Sequence, residues 1–188
     1  MKRATLLLTT LALFTAVAHA DKYEDTIKRF KDAGQSASFF GNSYGYAVFP
    51  TIGTGGLGVG GARGEGRVYE RGKHVGDATM TKLSVGLIAG GAAYSQVIFF
   101  EDERAFHEFT GGNFEFGAGV MAVVITASAS GEAGTTGSNV AASGGKNDAT
   151  TAGKYHKGMA VFTIMKGGAM YEVSVAGQKF SYKPLKAA

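Results

Sequence analysis

The sequence predicts an α+β domain, a mainly antiparallel, strongly twisted glycine-rich β-sheet or half-barrel. An N-terminal amphipathic helix and a short central helix complete it. Three observations carry this expectation. Runs rich in β-branched and aromatic residues are separated by glycine turn signals. Of 188 residues, 30 are glycine, and they concentrate inside those runs rather than between them. Only two segments have helical periodicity, and neither alternates regularly with strands as a parallel sheet requires. With 45% hydrophobic and 18% charged residues, the chain can bury a core and does not read as disordered. It has no cysteine, which excludes disulfides, thiolate metal sites and a cysteine nucleophile.

Residues 1–20 read as a signal peptide. Lys2 and Arg3 precede an apolar run from Leu6 to Val17, and Ala18-His19-Ala20 offers small residues at the cleavage positions. The run is too short to span about 30 Å of hydrocarbon. Cleavage after Ala20 would place a single domain, residues 21–188, in the periplasm or the exterior of a bacterium. The formal net charge of +4 then falls by two.

Residues 22–40 pattern as one amphipathic helix capped by Asp21 and stopped at Gly41-Asn42. Tyr23, Ile27 and Phe30 lie on one side, with Lys22, Lys28 and Arg29 on the other. Such a helix either covers a sheet or lies in a membrane interface. Tyr46 to Ile52 reads as a strand in which Pro50 marks an edge or a bulge. In residues 55–66 seven of twelve positions are glycine: Gly55, Gly56, Gly58, Gly60, Gly61, Gly64 and Gly66. At about 0.5–1 kcal/mol each relative to alanine, they cost on the order of 4–7 kcal/mol. A cost of that size implies a tight bend, a bulge, or an approach of another surface or ligand closer than a β-carbon permits.

Arg67 to Val75 reads as a hairpin turning at Gly72. Residues 83–100 carry no charge, but their glycines, serines and glutamine favour a bent strand or two strands over a membrane helix. Residues 101–109 form the short central helix, with acids in the first turn favouring its dipole, and residues 114–127 a further strand. Residues 128–155, small, polar and aperiodic, read as a long loop. Two final strands, near 158–166 and 169–176, are expected to join in a hairpin at Lys166-Gly167-Gly168, with a short strand at 179–183.

The chemical motifs are mostly negative. Gly53-Thr54-Gly55-Gly56-Leu57-Gly58 matches G-x-G-x-x-G, but Val59-Gly60-Gly61 follows where a dinucleotide site needs a helix. His74, His107 and His156 form no metal-ligand pair, and no G-x-S-x-G elbow is present. The expectation is therefore a protein without catalytic residues, metal or cofactor. The charge is too mild for a nucleic-acid partner, although it is polarised. Residues 101–132 hold six acids against Arg104, whereas residues 146–188 hold seven lysines against Asp148 and Glu172.

Val48-Phe49-Pro50, Gly55 to Gly61, Gly64-Glu65-Gly66, Val85-Gly86-Leu87 and Tyr94-Ser95 leading to Ile98-Phe99-Phe100 resemble the SYLF domain family. The stretch Lys166 to Ser174 is similar to the family's closing segment. The resemblance implies non-enzymatic binding of anionic phospholipid at a membrane surface, helped by the first helix. Candidate lipid contacts are Lys22, Lys28, Arg29, Arg63, Arg67, Arg71 and Lys73. A small outer-membrane barrel or envelope structural protein without a specific ligand is the alternative.

Overall fold

The computed structural model describes residues 21–116, 123–126, 154–155 and 157–186. The expected signal peptide, His156, and the loop assigned to 128–155 apart from Lys154 and Tyr155 lie outside the described residues.

Five strands form one sheet in the order β1-β2-β5-β3, with β4 also pairing with β5. Three of them are long: β1 (Gly45–Glu70), β2 (Lys73–Phe100) and β5 (Met159–Pro184). β1 and β2 are joined by a two-residue turn, Arg71 and Gly72, with φ of 47° and 81°. Positive φ at both positions is the turn geometry whose twist matches antiparallel strands. β3 (Asn113–Phe116) pairs antiparallel with the end of β5, whereas β4 (Val123–Thr126) pairs with β5 in parallel. The described strands form an open path.

The strand expected at 114–127 is thus two short strands on different stretches of β5. A second correction concerns Lys166-Gly167-Gly168, which is not a hairpin. β5 runs through it, with Gly168 opposite Ala92 and Gly167 opposite Ala93, and a register shift follows at Ala93/Tyr94. A turn there would have left the middle of β2 unpaired on that side. The short strand expected at 179–183 is the end of the same β5.

β1 folds back on itself. A β-carbon on Gly66 would lie 2.6 Å from Phe49 Cδ1 and 2.8 Å from the Val48 carbonyl oxygen. On Gly64 it would lie 2.5 Å from Ile52 Cγ1, and on Gly45 2.6 Å from the Tyr69 oxygen. The pairs 45 with 69, 49 with 66 and 52 with 64 run in opposite senses, so the strand reverses near residue 57. Gly58 has φ of 72°, and the register with β2 shifts between Leu57 and Val59. There β2 uses the four steps from Val85 to Ala89 against two in β1. The result is a curled half-barrel with a leading half near residues 45–56 of β1 and a trailing half near 59–70.

Two cores follow from the curl. Between the halves lie Phe49, Ile52, Val68, Met80, Phe100 and Phe180. α3 (Glu103–Thr110) closes this core with Phe106 and Phe109, and Asp102 caps it by accepting from the Ala105 N–H. The second core covers the outer face of the leading half, where Tyr46, Val48, Val97, Phe99 and Phe162 meet Phe30 and Phe39. Phe30 belongs to α1 (Lys22–Asp32) and Phe39 to α2 (Ala37–Asn42). The single helix expected over 22–40 is broken in two. Gly34 has φ of 72°, a left-handed conformation incompatible with a continuing helix.

Candidate functional site

Three different demands place most of the glycines between residues 55 and 66. Gly64 and Gly66 lie on the inner face, buried against the leading half of the same strand. Gly58 supplies the positive φ of the bend. Gly56 is packed against Val59 and Gly60 of the returning chain, with no room for a β-carbon, and Gly55 would bring one to 3.3 Å of the Gly90 oxygen. Gly61 faces outward with only ordinary contact available, and Gly60 points inward. The close approach expected from the sequence is therefore made largely by the chain to itself.

Pro50 sits at a register shift between Phe49 and Ile52, as its missing N–H favours. The carbonyl of Pro50 accepts from Ser95 Oγ at 2.7 Å and from Lys166 Nζ at 3.2 Å. Further inside, Gln96 and Thr163 face each other in register and are buried. Neither the Gln96 amide nor the Thr163 hydroxyl has a hydrogen-bond partner among the described residues. Such groups cost about 1–3 kcal/mol each.

The seven candidate cations do not form one patch. Lys22 and Arg67 converge on Tyr23, with Lys22 Nζ 5.2 Å and Arg67 Cζ 4.0 Å from the ring centroid. Arg67 also pairs with Asp21. Lys28 pairs with Asp32 at 2.6 Å, and Arg29 is exposed on the same helix. Arg71 lies over Tyr44 at 5.0 Å, and Lys73 stands opposite Glu70 across the turn. Arg63 is exposed on the outer face of the trailing half. The apolar side of α1, carrying Tyr23 and Phe30, is buried against the sheet, so the helix covers a sheet in this structure. His107 makes a one-turn pair with Glu103 at 3.4 Å, both exposed. Among the described residues no group of three side chains could hold a metal.

Asp21 fixes the start of α1. Its carboxylate accepts from the Tyr23 N–H at 3.0 Å, and this bond is the main influence holding its pKa below the ordinary value. Partial desolvation opposes it, and Arg67 acts in the same direction as the N–H. A depressed folded-state pKa gives stability that is full above about pH 4 and lost as pH falls through the lowered value. We expect Arg67→Met to weaken this acid-dependent loss by at most about 1 kcal/mol, because the pair is partly exposed. Melting temperature measured from neutral pH down to about pH 2.5 checks it, and an unchanged acid dependence would contradict the pairing.

The outer faces of the two halves differ. That of the leading half is roofed by α1 and α2, which also reach Arg67 and Tyr69, whereas the rest of the trailing half's outer face is open, with Arg63, Glu65, Thr81, Lys179 and Ser181 exposed. Toward the bend this open face becomes apolar. Leu57 is 83% exposed, Leu83 66%, Val85 59% and Val59 58%. Sequence reasoning missed these four residues. Their signal lay in the glycines alternating with them, since a strand whose bare face is buried must turn its side chains outward.

A family model described as "Ysc84: Las17-binding protein actin regulator" matches residues 81–184. The chain is also similar to a protein named Beta cell expansion factor A from Aeromonas veronii, at 30% identity over 158 residues. That match covers 82% of this chain and 51% of the relative, so the chain spans about half the relative's length. No solved structure matches.

Proposed function

The chain belongs to the Ysc84 family, also called SYLF, and from this premise we propose that it is a non-enzymatic module that binds anionic phospholipid at a membrane surface. Its setting is the periplasm or the cell exterior, reached by cleavage after Ala20. The observation that carries this reading is the uncovered outer face of the trailing half, which has both cations and exposed apolar side chains. A sheet face of that kind is normally either roofed or used. Arg63 and Lys179 stand on it, level with each other across Thr81. Each basic residue near an anionic surface is worth about 1 kcal/mol, so the two acting together give roughly a thirtyfold gain in partitioning.

Co-sedimentation with vesicles tests this. The protein should pellet with phosphatidylglycerol-containing vesicles, pellet less with pure phosphatidylcholine, and be released as salt shortens the screening length to a few ångströms. Failure to pellet with either vesicle, or equal pelleting indifferent to salt, would contradict the reading. The actin-regulator description belongs to the family model.

A further inference from the structure

We propose that the bend of the curled sheet is the element that enters the membrane, with Leu57, Val59, Leu83 and Val85 seated at the boundary between headgroups and acyl chains. The inference rests on the membrane reading above and adds which part of the protein makes contact and how it is oriented.

Four observations lead to it. The four side chains are the most exposed large apolar residues described in the chain, and they gather at one place. Val59 is the register partner of Val85, and Leu83 that of Gly61, so one ladder segment presents all but Leu57, which precedes Gly58 at the bend. Strand alternation points Val59, Leu83 and Val85 to the open outer face, away from the interior that holds Met80 and Ser84. Finally, the next outward rung beyond Gly61 and Leu83 is Arg63, Thr81 and Lys179, with Glu115 paired to Lys179 at 3.6 Å.

The spacing matches an interfacial depth. At about 3.4 Å per residue, Arg63 lies roughly 7 Å along the strand from the level of Leu83 and about 14 Å from Val59. Amphipathic segments bury their apolar face about 5–10 Å into the headgroup region. Seating the valines and leucines at that depth therefore leaves Arg63 and Lys179 at phosphate level. A second copy of the chain is a poorer occupant. Burying four Leu and Val side chains removes on the order of 300–400 Å², well short of the roughly 800 Å² per partner of a stable dimer.

The chain has no cysteine, so a single Val59→Cys carries an environment-sensitive fluorophore, with Lys73→Cys at the start of β2, the end of the trailing half remote from the bend, as a control. On phosphatidylglycerol-containing vesicles the label at 59 should shift to the blue and be quenched by lipids labelled high on the acyl chain. The label at 73 should stay aqueous. The combined variant Leu57→Ser, Val59→Ser, Leu83→Ser, Val85→Ser should keep its melting temperature within a few degrees and lose at least tenfold in vesicle partitioning. If the unaltered protein fails to pellet, the membrane reading itself falls. If it pellets while the serine variant pellets equally and the label at 59 stays aqueous, only the bend assignment falls. A change of sedimentation coefficient in the serine variant without a change in vesicle binding would assign the patch to a second copy and also overturn the proposal.

Discussion

Alanine at Gly66 should cost the protein about 3 kcal/mol, at the upper end of what overpacking usually does. The new methyl group would meet Phe49 Cδ1 at 2.6 Å, Cε1 at 2.7 Å and the Val48 carbonyl oxygen at 2.8 Å. The carbonyl belongs to backbone paired in the sheet, and the Phe49 ring is fully buried, so neither has an easy way to yield. In a chain of this size the loss corresponds to a fall in melting temperature of about 6–12 °C. Gly53→Ala is the matched control. Gly53 is exposed, its φ is not positive, and a β-carbon there meets nothing within 4 Å. Alanine at that position should leave stability unchanged or raise it by up to about 1 kcal/mol through the unfolded chain. Equal effects of the two substitutions would show that the close approach at Gly66 is not what requires glycine.

Phe180→Ala should be at least as damaging, at about 3–5 kcal/mol. Phe180 is buried on the inner face of the trailing half, and its ring centroid lies 5.7 Å from Phe49, 5.3 Å from Phe109 and 5.4 Å from Phe116. It thus joins the trailing half to the leading half, to α3 and to β3 at once, and its loss leaves a cavity that none of these fills without moving. Urea unfolding followed by near-ultraviolet circular dichroism measures the effect. Because Gly66 and Phe180 both act through Phe49, the double variant should be non-additive. A loss below about 1 kcal/mol for Phe180→Ala would contradict the folded-over interior.

Much of this architecture was legible because local chemistry and tertiary position agree. Pro50 signalled the bulge, Gly72 the turn, Asp21 the first cap, and the acids around 101–103 the start of α3. Other features depended on long-range pairing. Gly167-Gly168 carries the local signature of a turn, yet Ala92 and Ala93 run beside it, and two strands of very small residues bend together without separating. Gly34 broke the first helix through one dihedral angle, which apolar spacing does not register. The surface was harder. Ordinary patterning puts the bulky face of a strand inside, but in residues 55–66 the bare face is the buried one, because β1 closes on itself there. The cations were identifiable by type, but that Arg67 is held by Asp21 and Tyr23, while Arg63 remains open, depends on where α1 docks.

The fold-back of β1 underlies both the glycine pattern and the exposed bend, and a distance measurement tests it directly. Spin labels on Thr51→Cys and Glu65→Cys, two exposed positions in a cysteine-free chain, report across the closure by pulsed electron resonance. The fold-back predicts neighbouring labels, with a separation below about 25 Å, since the trailing half returns onto the leading one at Gly64 and Ile52. A straight strand would hold the same positions about 46 Å apart at 3.3 Å per residue. A distribution centred near that longer distance would contradict the fold-back and the exposed apolar bend inferred from it.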